Sequence, residues 1–345
     1  MKRLEMYKDW PLLSNWKIAS GEIEFDQDGS IVMWDINNMG DDLHEVNQLP
    51  SKPHDILVDV FLSMLPNLEQ LILEVTPGAV HGRFMPVSAK LESLGYLCIG
   101  RHTDGYSGNV PYRLSGIKCL LEKAVNLESL EINFSPGKSF FSQTPPRLGN
   151  LRSLKISGAL FPSTELKGLV DQCPRLEVFT YTYNNGLSPE ELRKGFKLET
   201  LPRALASRTD TLQHVEIHWQ LKKGRPHRDY HIGSFKRFTK LKTLTLSGRS
   251  LLLADVTEET PLETSLSSLL PASIRTVELK GQNLDLYEPI LGLAKEAKKG
   301  LFPHLKTFRQ TEVDKARPSY SVELKEAMGQ SEISFETYPK LAWWH

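Results

Sequence analysis

The feature that most restricts this chain is a short apolar pattern that returns along most of its length. LEQLIL (68–73), LGYLCI (94–99), LESLEI (127–132), LRSLKI (151–156), LEVFTY (176–181), LQHVEI (212–217), LKTLTL (241–246), IRTVEL (274–279) and LKTFRQ (305–310) share the form apolar-x-x-apolar-x-apolar, the last only in part. Successive starts lie 24 to 36 residues apart, a loose period of about 30. Self-similarity at such an interval marks a repeat array, and it is read before any domain boundary is drawn. Inside each segment the last two apolar positions are two apart, the period of a strand, so they share one face. The third, fifth and seventh positions share the other.

Between these segments the spacing becomes helical. Ile56, Leu57, Val60, Phe61, Met64 and Leu65 fall on one helical face, as do Ile117, Leu120, Leu121 and Ala124, then Leu166, Leu169, Val170 and Cys173, then Ile290, Leu293, Ala294 and Ala297. Pro66, Pro174, Pro271 and Pro303 stand where these helices must stop. Ser188-Pro189-Glu190-Glu191 supplies an N-cap, a first-turn proline and a capping-box glutamate. The unit is therefore strand, loop, helix, proline, strand. No single unit hides its apolar edge, so units must stack. Strands stack about 4.8 Å apart while helices need about 10 Å, which fans the helices outward and leaves the strands on a hollow. The fold class predicted is α/β, a right-handed solenoid or horseshoe with a parallel concave sheet and outer helices.

These repeats resemble those of the leucine-rich-repeat superfamily. Their irregular length and their CPRLE, FPHLK and LPNLE phrasing resemble the degenerate repeats of F-box proteins, notably the fungal kind. The resemblance covers residues 51–345, about nine irregular repeats with a C-terminal cap, after a flank at 1–50. One departure stands out. Eight residues past each first apolar position the family's motif places Asn or Cys, whereas this chain has Thr76, His102, Ser135, Ala159, Asn184, Gln220, Arg249, Gln282 and Val313, so irregular loops are expected. The resemblance implies a protein-interaction module that selects substrates for a cullin-type ubiquitin ligase, docked through a Skp-type linker. Leu49-Pro50 and Asp55-Ile56-Leu57 echo the start of an F-box, but the spacing is three residues too long and the first repeat follows too soon. Residues 51–65 are read as the helix of that first repeat, so no F-box is recognisable: the ligase-docking box is absent, degenerate or upstream.

In the flank, Glu22–Phe25 and Ser30–Trp34 bracket Asp26-Gln27-Asp28-Gly29, which reads as a hairpin covering the edge of the first repeat. The acidic turn lacks the later ligands a calcium loop needs. SYSVELKEAM and ISFETYP predict a closing helix and strand, with Trp343 and Trp344 beyond them.

Charge removes some function classes. Lys plus Arg and Asp plus Glu both number 42, so no global field favours nucleic acid or an anionic membrane. No stretch approaches the roughly 18 apolar residues of a membrane span. Cys98, Cys119 and Cys173 are scattered and odd in number, which fits a reducing compartment. The start, MKRLEMYKDWPLL, holds no secretion signal, and a cytoplasmic or nuclear location is expected.

On the predicted hollow the fifth and seventh positions are polar and mixed in sign, which suits a protein or peptide. The chosen partner-binding residues are Lys155, Thr182, His214, Glu216 and His218, together with Lys222, Lys223, Arg225 and Arg228 of the basic loop that follows. Such a loop suits an acidic peptide or a phosphate, or is simply solvated. Glu131 with Lys155, and Glu278 with Arg309, are expected to pair across strands. Phe134, Tyr183 and Trp219 are expected to plug the sheet end. No phosphate loop, nucleophile elbow or HExxH appears, and no cofactor is called for. The leading reading is a non-enzymatic interaction module. Its competitors are a metal- or phosphate-binding protein or enzyme centred on 214–231, with His214, His218, His227 and His231 as zinc ligands, and a GTPase regulator presenting Arg249.

Overall fold

The computed structural model describes residues 3–7, 31–34, 67–74, 91–100, 118–133, 145–158, 161–183, 198–219, 232–247, 266–280, 286–311 and 318–338. Every one of the apolar segments forms a strand that begins at its third residue: β3 (Gln70–Glu74), β4 (Tyr96–Gly100), β5 (Ser129–Asn133), β6 (Ser153–Ser157), β7 (Val178–Tyr183), β8 (His214–Trp219), β9 (Thr243–Ser247), β10 (Thr276–Lys280) and β11 (Thr307–Thr311). Before them come β1 (Arg3–Tyr7) and β2 (Ile31–Trp34), and after them β12 (Ser334–Tyr338). The chain divides into two compact units, Met1–Phe161 with Gln172–Arg175, and Pro162–Asp171 with Leu176–His345.

In the first unit the strand order is β2-β1-β3-β4-β5-β6, and in the second it is β7 to β12 in sequence order. The pairings are parallel throughout. Equal motif positions meet: Leu71, Leu97, Leu130 and Leu154 run in register across the first unit, and Phe179, Val215, Leu244, Val277, Phe308 and Phe335 across the second. A slip of one residue would turn every apolar side chain to the open face, so the pattern itself fixes the register.

A backbone ladder keeps the repeats in step. The carbonyl at the second motif position accepts from two consecutive amides of the next repeat. Glu69 O takes Gly95 N at 2.9 Å and Tyr96 N at 3.1 Å, and Gln213 O takes Lys242 N at 2.8 Å and Thr243 N at 3.0 Å. The core also uses the position three residues ahead of most segments, and of the residues buried there the helical stripes read from the sequence include only Ala124 and Cys173. Leu91, Ala124, Leu148, Cys173, Phe238 and Phe302 are buried there.

The described helices are α1 (Lys118–Lys123), α2 (Ser163–Asp171), α3 (Leu201–Ala204), α4 (Leu266–Leu269), α5 (Tyr287–Lys298) and α6 (Pro318–Gly329). The predicted stripes face inward: Leu120 and Leu121 of α1, Leu166, Leu169 and Val170 of α2, and Ile290, Leu293 and Ala294 of α5 are buried. Within the second unit α2 packs on α3, α4 on α5 and α5 on α6. Side chains of one repeat close the helix end of another: Arg208 donates to Val170 O at 3.2 Å and Asp171 O at 3.0 Å, and Ser331 Oγ donates to Ala294 O at 3.0 Å. Tyr183 and Trp219 are buried and stack at 4.7 Å, so they fill the core as expected; Phe134 lies outside the described residues.

The flank differs from its reading. Ile31–Trp34 is a strand, but its partner is β1, which runs parallel to it and also parallel to β3. Residues 22–29 of the expected hairpin lie outside the described residues, as do the helix expected at 51–65 and the cap at Ser188. Leu4 and Met6 carry the apolar-x-apolar half of the repeat motif, in register with Leu71 and Leu73, and that half-motif was the missed signal. The closing helix and strand expected near the C-terminus are α6 and β12. Among the described residues, no helix is long and apolar enough to cross a membrane.

Candidate functional site

Strand parity builds the polar surface. In β5, β6 and β10 the second and fourth residues are buried and the alternate residues part-exposed. One face of the sheet is thus core and the other polar, and on that polar face each unit holds a carboxylate ringed by donors.

In the first unit this is Glu131. Its Oε1 accepts from Lys155 Nζ at 2.7 Å and from Asn133 Nδ2 at 2.9 Å, and its Oε2 from the Tyr96 hydroxyl at 3.0 Å. Burial works to raise this carboxyl, but the bonds from Lys155, Asn133 and Tyr96 outweigh it and hold Glu131 below its ordinary value. On the Tyr96 phenol and the Cys98 thiol burial also raises the value, and there the neighbouring negative charge of Glu131 adds to it, so both are pushed up. Cys98 is buried, with Asn133 Nδ2 at 3.5 Å from its sulfur, so it is a neutral packed thiol rather than a thiolate nucleophile. The expected Glu131–Lys155 pair is present.

In the second unit the carboxylate is Glu216. His214, Glu216 and His218 alternate along β8 and share a face. His218 Nε2 lies 2.6 Å from Glu216 Oε1, and His214 Nε2 lies 4.0 Å from Oε2. Lys280 Nζ donates to Oε1 at 2.8 Å from β10, two strands away. The small Thr245 of β9 is level with Glu216 and Glu278, which lets the lysine reach across. The imidazoles of His214 and His218, then Lys280, hold Glu216 far below the usual carboxylate range although burial opposes them. His218 is itself only 6% exposed. Thr182 is in register with His218 on β7 and part-exposed. Arg309 is in register with Glu278, and its Nε donates to Glu336 on the far side at 3.0 Å.

No family model matches the chain, and no curated protein matches it.

The chosen residues Lys222, Lys223, Arg225 and Arg228 lie outside the described residues, as do His227, His231 and Arg249. Among the described residues, no three His, Cys, Asp or Glu side chains are grouped to hold a metal ion. Sequence reasoning missed Lys280, Tyr96 and Asn133 as members of the two clusters. Lys280 is a seventh-position residue and Glu216 a fifth-position one, so only a diagonal reading across two repeats would have joined them.

Proposed function

We propose that the chain is a non-enzymatic protein-interaction module, a right-handed leucine-rich-repeat solenoid that grips a protein or peptide on the polar face of its parallel sheet. The observation that carries this reading is the half-covered sheet. Parallel sheets are ordinarily buried on both faces. Here one face keeps part-exposed polar side chains in both units, among them Lys155, Thr182 and Glu216. Glu131 and Glu216 are held ionised by fixed donors, which suits a rigid recognition surface and not a proton shuttle near neutral pH.

The test is capture of a cross-linked partner by the full chain. Thr182→Arg is expected to abolish capture with no change in melting temperature, whereas Lys325→Glu, on the exposed side of α6, leaves capture intact. Capture lost only in the α6 variant would overturn the reading. The ligase context we propose rests on the resemblance of the repeats to those of F-box proteins. Co-expression with a Skp-type linker is expected to give a complex, and a chain that elutes alone removes that context.

A further inference from the structure

A second polar feature lies off the sheet face, where the chain of the second unit enters its strands. A cleft of ≈ 420 Å³ is lined by Gln213, Thr239, Lys240, Lys242, Ser273, Arg275 and His304. None of these described side chains is a carboxylate, and four are cationic or can become so. The chain as a whole has 42 basic and 42 acidic residues, so this is a local segregation of charge and not a share of a global excess.

The repeat builds the cleft. Gln213, Lys242 and Arg275 are second-position residues of successive repeats, and the backbone ladder locks them together: Lys242 N donates to Gln213 O at 2.8 Å and Arg275 N to Lys242 O at 2.8 Å. Their side chains therefore leave neighbouring chains about 4.8 Å apart. Lys240, Ser273 and His304 precede the first apolar residue of the same and following repeats, and so flank that row. Ser273 Oγ donates to Leu241 O at 2.9 Å and lies 3.1 Å from Phe238 O, which makes it a fixed wall. Lys242 Nζ rests on Gln213 Oε1 at 2.7 Å, a neutral partner that leaves its charge uncompensated. Lys240, Lys242, Arg275 and His304 are all exposed.

We infer that this cleft binds a phosphorylated segment of a protein partner. A phosphoryl group offers three acceptor oxygens and nearly two charges, enough to engage Lys242, Arg275 and Lys240 together, whereas a carboxylate has two oxygens and one charge. Nucleic acid fits less well, because none of the lining residues is Phe, Tyr or Trp, the large rings on which successive unpaired bases stack. The site is separate from the sheet face proposed above, so either can fail alone.

The experiment is fluorescence anisotropy of the full chain with a degenerate nonapeptide pool carrying a central phosphoserine. The same pool with serine, an oligothymidine strand and inorganic phosphate serve as the other arms. The phosphoserine pool is expected to bind at least about tenfold more tightly than the serine pool, with affinity falling as salt rises. Arg275→Gln combined with Lys242→Gln removes that preference while circular dichroism is unchanged, and Gln213→Lys, which adds a cation to the row, tightens phosphopeptide binding. Inorganic phosphate competes only at far higher concentration than the peptide. Equal binding of the two pools, an undiminished preference in the double variant, or displacement of the peptide by oligothymidine at equal concentration would each overturn the inference.

Discussion

Two turns in the second unit show how one residue's backbone can be set by its neighbours. After α5, Gly300 takes φ 84, with Gly300 N bonded to Ala297 O at 2.8 Å and Leu301 N to Glu296 O at 3.3 Å. This is the left-handed helix stop in which glycine costs least. After α6 the same stop recurs, with Glu332 N on Gly329 O and Ile333 N on Met328 O, both at 3.0 Å, but the left-handed residue is Glu332 at φ 59. A side chain there is strained, since the left-handed region brings Cβ against the following carbonyl. Glu332→Gly is therefore expected to stabilise the fold by about 1 kcal/mol in urea denaturation; a destabilised variant would show that the glutamate side chain supports the turn. The Glu332 turn was not legible in advance, because a glutamate carries none of the backbone freedom that makes glycine a helix-stop signal.

Among elements, the strands were the most legible and the connections the least. A strand's position follows from four to six residues of alternating pattern, and all nine apolar segments became strands. In the first unit an asparagine just ahead of the apolar segment ties one repeat back to the one before it. Asn126 Nδ2 donates to Glu92 O at 2.8 Å, Asn150 Nδ2 to Val125 O at 3.0 Å, and Arg175 to Asn150 Oδ1 at 2.9 Å. These bonds are exposed and Leu154 is fully buried, so their contributions should separate. Leu154→Ala is expected to cost about 2–5 kcal/mol through the cavity it leaves, and Asn150→Ala about 1 kcal/mol. Equal losses in denaturant titration would mean that the first unit relies on its surface ladder as much as on its core.

Across the whole molecule, each unit carries a carboxylate held below its ordinary value, Glu131 in one and Glu216 in the other. A carboxyl depressed in the folded state adds stability that is complete above the unfolded value of about 4.3 and is lost as pH falls through the folded value. Glu131→Gln and Glu216→Gln are each expected to cost about 1–3 kcal/mol at neutral pH, with the gap to the unaltered chain closing as the medium is acidified below about pH 4. A gap that stays constant with pH would assign the loss to packing. The sequence by itself determined where the strands lie, which face of each is core and how adjacent strands align, because those features are set within a few residues and repeated until slippage is excluded. It placed Lys155, Glu216 and His218 on one kind of face for the same reason. Only the tertiary structure decided which residues meet off that register: Lys280 reaches Glu216 from 64 residues away, diagonally past Thr245. Contacts of that range depend on how much chain each loop consumes, and no local pattern of residues records it.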